Sequence, residues 1–230
     1  MALSAASLKF YRSTTWDDTS SNGGAINTGV EITTATSQNI FPNITDAERL
    51  SGVTKYKKVF FRNENTDAYN GTKAWIFAQT PSGDTAVTIS GAGSVSTQGT
   101  DTAIGTITFT FAASTTVTAS ADCHLYISVG ELIFNNADAN TYAKVITAIS
   151  SDGLTITLGS AYSGTTGSGA TGKVLKATGN TYITAVDEAN GVSLGNLTNN
   201  QSIGLWVKLV VNAASSGYTD DTFTLRYSNS

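Results

Sequence analysis

Several residue types on which protein chemistry often depends are scarce in this sequence. Its 230 residues include one cysteine, one histidine, one methionine and two prolines. A single cysteine excludes an intrachain disulfide, which fits folding in a reducing compartment. One cysteine and one histidine cannot supply the ligands of a structural zinc site within one chain. A metal ion could still bind on the axis of a trimer, where the lone histidine of each copy would be a ligand.

Charge is scarce as well. Charged residues make up 13% of the chain, about half the usual share, and the formal net charge is −4. The densest basic run, Lys55, Lys57, Lys58 and Arg62, is too small to indicate a phosphate-binding patch, so we expect no nucleic-acid partner. Because the chain carries little charge, electrostatic repulsion between its copies is weak, which favours a role inside an assembly.

Long apolar runs are also missing. No stretch approaches the roughly 20 apolar residues of a membrane span, and residues 1–8 lack the basic and apolar regions of a signal peptide. We therefore expect no membrane partner. Thr, Ser, Asn and Gly take the place of the missing charged residues, and these residue types suit strands, turns and wet surfaces.

Alternation of apolar and polar residues with a period of two dominates the sequence. It is clearest at residues 55–62, 73–79, 203–211 and 223–227. No long helical period interrupts it. We predict an all-β protein, an antiparallel β-sandwich that carries an inserted small β-barrel-like domain.

Residues 41–65 are the most charged and most locally specified segment. Thr45 is a good helix N-cap, and Glu48 stands three residues later, which completes a capping box. Gly52 suits the end of the helix. The segment therefore predicts a turn or two of helix that leads into the strand at 55–62.

This strand carries large side chains on both faces. Val59 and Phe61 share one face, which we assign to the core, and Phe60 lies on the other. The second face is expected to meet a second sheet or a neighbouring subunit. The predicted interface residues on this strand and on the strand at 203–211 are Tyr56, Lys58, Phe60, Arg62, Trp206 and Lys208.

The sequence pattern changes between residues 113 and 178, where the predicted strands become short and turns become frequent. Six short strands are predicted, at 115–119, 125–127, 131–134, 143–149, 154–158 and 173–176. Ser151-Asp152-Gly153 is a hairpin turn signal. We assign 113–178 to the inserted barrel, and residues 1–112 with 179–230 to a discontinuous sandwich, because insertion into a surface loop is well tolerated.

Candidate catalytic and metal-binding groups each have a simpler explanation. Cys123 and His124 are neighbours and would point to opposite faces of a strand, so they cannot form a dyad. The carboxylate pairs Asp17-Asp18 and Asp220-Asp221 are typical of solvated turns and lack EF-hand spacing, although a loop calcium site stays open. No catalytic residue and no cofactor is expected.

Two further patterns suggest binding sites. Residues 167–172 match G-x-G-x-x-G, but a strand-like run follows where a nucleotide site needs a helix, so a flexible hairpin tip explains them better. Trp75 and Trp206 lie in alternating strands, whereas Trp16 lies in a polar loop. Trp16, Asp17 and Asp18 are therefore the candidate ligand or contact loop.

One segment resembles a known family. Residues 39–52, NIFPNITDAERLSG, followed by residues 55–63, KYKKVFFRN, resemble a motif in virion structural proteins of tailed bacteriophages and prophages. Weaker similarities cover residues 7–11, 20–24, 204–208 and 220–226, and within the insert residues 130–133 and 161–167. The resemblance spans roughly the first hundred and the last thirty residues and largely skips the insert.

The resemblance implies a non-enzymatic virion protein, assembled in the cytoplasm of a bacterial host. A capsid-associated minor or decoration (cement) protein is the first expectation. Its partners would be further copies of itself, in a trimer, and the major capsid protein or other virion proteins. A tail, baseplate or collar protein is the alternative, and a carbohydrate-binding or host-adhesion module with Trp16 and the 164–172 loop at its tips is a third.

Overall fold

A computed structural model of the chain describes residues 8–33, 36, 38–217 and 221–228. Strands hold 49% of the chain and helices 6%, which confirms the all-β class. The described helices are α1 (Asp46–Ser51) and two short 3-10 turns, Asn140–Tyr142 and Ala177–Gly179. The strands are Leu8–Thr15 (β1), Gly23–Glu31 (β2), Val53–Asn63 (β3), Tyr69–Ala78 (β4), Thr85–Ala92 (β5), Thr102–Phe111 (β6), Thr116–Ala119 (β7), Leu132–Asn135 (β8), Lys144–Ile149 (β9), Thr155–Leu158 (β10), Gly167–Val174 (β11), Val192–Leu197 (β12), Ser202–Val211 (β13) and Thr224–Ser228 (β14).

Eight of the described strands form the sandwich. Its larger sheet has the order β2-β1-β3-β13-β5 and its smaller sheet the order β12-β4-β14. All neighbours are antiparallel, and β13 lies between β3 and β5. Apolar residues of both sheets, among them Phe61, Ile76, Leu194 and Leu205, form one buried core. The alternation predicted for 203–211 is confirmed, because its odd-numbered residues all belong to this core.

The other six described strands close into an antiparallel barrel with the order β10-β7-β6-β11-β8-β9. A second core, which includes Phe109, Phe111, Ile146 and Ile156, fills its interior. Along the chain the barrel lies between β5 and β12, so the sandwich is completed by strands from both sides of it.

Three local expectations are corrected. β6, expected in the sandwich, pairs with β7 and β11 and is a barrel strand, because alternation alone does not say which sheet a strand joins. Residues 125–127 form a turn rather than a strand, since the amides of Tyr126 and Ile127 both donate to the carbonyl of Cys123. Residues 167–172 lie within β11 instead of a hairpin tip, and a Cβ at Gly172 would approach the Phe109 ring to 2.6 Å.

The capped helix is confirmed. The Thr45 hydroxyl accepts a hydrogen bond from the Glu48 amide, and the Glu48 carboxylate accepts one from the Thr45 amide at 2.9 Å. α1 ends at Gly52, whose φ of 75° suits glycine. A Cβ there would lie 2.9 Å from the amide nitrogen of Ala213, so the position also needs glycine for space.

Candidate functional site at the junction of the sandwich and the barrel

Most of the predicted interface residues are covered by the chain itself. Tyr56 is 9% exposed, Phe60 1%, and Lys58 and Trp206 0%. They lie on the face of the larger sheet that points away from the sandwich core, beneath the segments that connect the sandwich to the barrel. The expectation that they are free to meet a neighbouring subunit is therefore corrected. Their partners are intramolecular.

The two remaining interface candidates are only partly covered. Arg62 donates to the side chain of Asn200 at 2.9 Å and lies 3.7 Å from a carboxylate oxygen of Glu64. Lys208 is half-buried, and its ammonium lies 5.3 Å from the ring centroid of Tyr182. Both side chains border the covered face.

Lys58 is the most deeply buried cation of this face. Its Nζ donates to the carbonyl oxygens of Gly24 and Ser96, each at 3.0 Å. The ammonium also lies 5.1 Å from the ring of Phe60 and 5.7 Å from the ring of Trp206, distances typical of cation–π contacts. Lys58 thus ties β3 to β2 and to the segment that leads from β5 into the barrel.

Glu131 is the corresponding group from the barrel side. It precedes β8 and is fully buried. Its Oε2 accepts hydrogen bonds from the amides of Gly93 at 2.9 Å and Ser128 at 3.0 Å, whereas Oε1 has no partner of normal geometry among the described residues. Burial raises the pKa of Glu131, opposed by the charge of Lys58; burial lowers the pKa of Lys58, opposed by the charge of Glu131.

Aromatic and hydroxyl groups complete the arrangement. The indole of Trp206 donates to the Ser96 hydroxyl at 3.1 Å, and the Tyr182 hydroxyl donates to the carbonyl of Ala177 at 3.1 Å. The rings of Tyr56 and Tyr182 lie 5.8 Å apart. We call the six residues Tyr56, Lys58, Ser96, Glu131, Tyr182 and Trp206 the junction cluster.

Sequence reasoning placed Tyr56, Lys58 and Trp206 on one face but did not single out Glu131. One signal could have revealed it. Glu131 is an isolated charge beside the apolar run Leu132-Ile133-Phe134, and a charge in that position is either exposed or paired inside. Of the two amides that donate to Glu131, that of Gly93 lies far away in sequence and that of Ser128 lies in a turn. The sequence pattern could not have predicted either of them.

The candidate ligand loop is engaged with the same strand. The Trp16 ring lies 5.0 Å from the guanidinium of Arg12 and 5.5 Å from the ammonium of Lys57. The Asp18 carboxylate pairs with Lys57 at 2.8 Å and with Lys55 at 3.4 Å. The burial of Asp18 opposes a low pKa, but the hydrogen bonds and charges of both lysines outweigh it and lower its pKa.

Asp17 adds backbone and turn contacts to this loop. Its carbonyl accepts from Lys57 at 2.7 Å, and its carboxylate accepts from the amide of Thr19 at 2.9 Å. Lys55 in turn pairs with Glu48 of α1 at 2.6 Å. The loop, the capped helix and β3 therefore form one ion-pair network, and a ligand role for residues 16–18 stays a prediction.

Cys123 and His124 lie in a turn and have separate roles. Cys123 is buried, and burial raises the pKa of its thiol to about 12, which leaves it unreactive at neutral pH. His124 is half-buried and contacts the Asp122 carboxylate through Nδ1 at 2.7 Å. Among the described residues no three His, Cys, Asp or Glu side chains converge as metal ligands. Asp220 of the second carboxylate pair lies outside the described residues.

Two adjoining cavities open between the barrel and β12. The larger, about 490 Å³, is lined by residues of β9 and by residues such as Ile89 and Val192. The smaller, about 210 Å³, includes His124 and Asn196. Both are lined by Val129, Ile149 and Ser193, and we call the two adjoining cavities, which have apolar and hydroxyl groups in their walls, the groove.

Comparisons with protein-family models, with curated proteins and with solved structures found no match for this chain. In the part of the chain that the structure describes, no helix has the length and apolar character needed to cross a membrane.

Proposed function

We propose that this chain is a non-enzymatic structural protein of a tailed-phage virion, a capsid-associated decoration protein that binds further copies of itself and neighbouring capsid subunits. The proposal combines the resemblance at residues 39–63 with the role of that segment in the fold. Tail, baseplate or collar placement is the alternative within the same class.

The observation that carries the proposal is the use of charge in this segment. Thr45 and Glu48 cap α1, Lys55 and Lys57 bind the 16–18 loop, and Lys58 reaches the segment that leads to the barrel. The charged side chains of this segment therefore form hydrogen bonds and ion pairs within the chain and do not face a substrate. A segment built in this way serves to hold a shape, which is the task of a virion structural protein.

Self-association needs a surface other than the junction cluster. The smaller sheet offers one, since Phe77 is 50% exposed and the Arg226 guanidinium lies 3.2 Å from its ring centroid. Val186 is 55% exposed and follows Ala185, whose carbonyl accepts from the amide of Ile76. Exposed aromatic and arginine side chains are typical of interface centres.

Light scattering on the purified chain tests this surface. Phe77→Asp is expected to reduce the oligomer to monomers, because it puts a charge into the proposed contact. Tyr142→Asp, an exposed barrel position, is the matched control and should leave the oligomer intact. Equal effects of both variants, or a wild-type monomer at all concentrations, would contradict self-association through the smaller sheet.

Electron microscopy of intact particles tests the location. Particles labelled with an antibody against the chain should carry the label over the capsid, at the joints between subunits. Label along the tail or at its tip would overturn the capsid assignment in favour of the tail alternative. Failure to find the chain on any particle would overturn the virion proposal itself.

The groove between the barrel and β12 favours a second candidate function, a host-adhesion module that binds a glycan. Pockets between domains with apolar walls and a few hydroxyl groups are common ligand sites. A glycan array decides it: specific binding lost in Ser193→Arg assigns the groove, and binding lost in Trp16→Ala assigns the loop. An array without specific signal removes this candidate.

A further inference from the structure

Two ionisable side chains of the junction cluster are buried without forming an ion pair. Lys58 comes from the sandwich and Glu131 from the barrel side, and neither is exposed to solvent. Among the described residues, no carboxylate oxygen lies within the 4.0 Å of an ion pair from the Nζ of Lys58. Burial therefore disfavours each charge, and the charge of the other group opposes this effect without a direct contact between them.

The surroundings of each group disfavour its charged form. Glu131 receives both of its backbone hydrogen bonds on Oε2, and the buried Oε1 makes no hydrogen bond of normal geometry with the described residues. The hydroxyl of Ser96 is a side-chain group that favours the charged form of Glu131. A buried charge that is incompletely hydrogen-bonded is costly, and it shifts toward neutrality. The raised pKa of Glu131 and the lowered pKa of Lys58 agree with this geometry.

Other titratable groups face the same space. Burial raises the pKa of Tyr56 and Tyr182, so both tyrosines stay neutral where Glu131 and Lys58 titrate. Lys208 contributes a positive charge beside the ring of Tyr182.

We propose that the docking of the barrel on the sandwich is linked to protons at the junction cluster. Closing the junction takes up a proton at Glu131 in mildly acidic solution and releases one from Lys58 in mildly alkaline solution. This linkage would let the rigidity of the junction change with pH, without a ligand.

The sign follows from the burial of each group. The closed junction prefers neutral Glu131, so its contribution is full below the ordinary pKa of 4.5 and is lost as the pH rises through the raised pKa. The closed junction also prefers neutral Lys58, so that contribution is full above 10.5 and is lost as the pH falls through the lowered pKa. The junction is therefore weakest at pH values near neutrality.

Urea unfolding of the full chain between pH 5 and pH 10 tests the proposal with Glu131→Gln, Lys58→Met and the double variant. Relative to the double variant, the unfolding equilibrium of Glu131→Gln should shift toward the folded state as the pH rises, by up to about tenfold per pH unit. That of Lys58→Met should shift by a similar factor in the opposite direction. Wild type should pass through a minimum.

Should either single variant fail to fold, wild type and the double variant still decide the matter. The proposal is supported if the unfolding free energy of wild type, relative to that of the double variant, varies with pH and is lowest near neutrality. It is overturned if the two curves of unfolding free energy against pH run parallel. The pair Lys9 and Glu31, 3.2 Å apart and partly or fully exposed, supplies the control. A variant with Lys9→Met and Glu31→Gln should keep the minimum in its curve of stability against pH. Loss of the minimum in this variant would overturn the assignment to the junction cluster.

Discussion

The sandwich and the barrel bury their strands in different ways. In β6 of the barrel, buried and exposed residues mostly alternate. In β13 of the sandwich, seven of ten residues are buried and the other three are partly covered. A barrel strand has one face inside and one in water, whereas β3 and β13 are covered by the smaller sheet on one face and by the junction on the other.

Coverage on both faces determines where charge can go. Lys55, Lys57 and Lys58 of β3 are all less than 9% exposed, so each must find a partner inside the fold. In the barrel, residues such as Thr106 and Thr108 turn outward into solvent and need none. The buried polar network of this protein therefore concentrates in the sandwich, and changes there should cost more.

Removing a large core side chain should have the largest effect. Phe61 and Phe109 are each 1% exposed, one in each core, and truncation to Ala should cost about 3–5 kcal/mol. Hydrogen exchange after Phe61→Ala should show faster exchange throughout β3 and β13. After Phe109→Ala it should show faster exchange within the barrel. Equal acceleration of β13 by both variants would mean that the two cores unfold as one unit.

Blocking the approach of the barrel should come next. A Cβ at Gly93 would lie 1.6 Å from the carbonyl oxygen of Tyr126, so Gly93→Ala should push the two units apart at a cost of about 1–3 kcal/mol or more. Gly105→Ala in β6 is the matched control, because nothing lies within 4 Å of its Cβ. Urea midpoints measure both, and similar midpoints would refute a tight junction.

Loss of the indole hydrogen bond should cost about 1–3 kcal/mol, since a buried polar group would lose its partner. Trp206→Phe removes the donor and Ser96→Ala the acceptor. A double-mutant cycle by urea unfolding should show that the two costs are not additive. Strict additivity would show that the two groups stabilise the junction independently.

Removing the helix cap should cost about 1 kcal/mol. Thr45→Ala eliminates the hydroxyl that accepts from the Glu48 amide, whereas Thr45→Ser keeps it. Thermal unfolding should therefore separate the two variants. If Ala and Ser behave alike, the cap contributes nothing beyond the contacts that hold β3.

The smallest effect is expected at the exposed end of the ion-pair network. The pKa of Asp18 is lowered in the fold, so its contribution is present above its ordinary value of 3.8 and is lost as the pH falls through the folded pKa. Since Asp18 is partly exposed, Asp18→Asn should cost about 0.2–1 kcal/mol at pH 7. Acid titration followed by fluorescence should show a smaller change in Asp18→Asn than in wild type.

Local features were predictable from the sequence, and the partners of each strand were not. Thr45, Glu48 and Gly52 specify a helix within eight residues, and the alternation of 203–211 specifies a core face without knowledge of its neighbour. The sheet that β6 joins depends on a pairing with β11, more than fifty residues later.

Only the part of the candidate site that lies on the sandwich strands was predictable, because the partners of a strand cannot be identified from its own sequence. Tyr56, Lys58 and Trp206 were correctly placed on one face, but what covers that face was not readable from the strand itself. Glu131 accepts a hydrogen bond from Gly93, which is 38 residues away in the sequence. Such a contact depends on the path of the whole chain rather than on any local pattern.

The position of β13 in the larger sheet has a consequence for synthesis. β3 and β5 leave the ribosome before the barrel, but β13, which joins them, follows it. The barrel can close as a unit while the two strands still present unpaired edges, and such edges favour aggregation. Ribosome-bound chains should therefore pass through a stage with a folded barrel and an unfinished sheet, and a chaperone that shields strand edges would act at that stage.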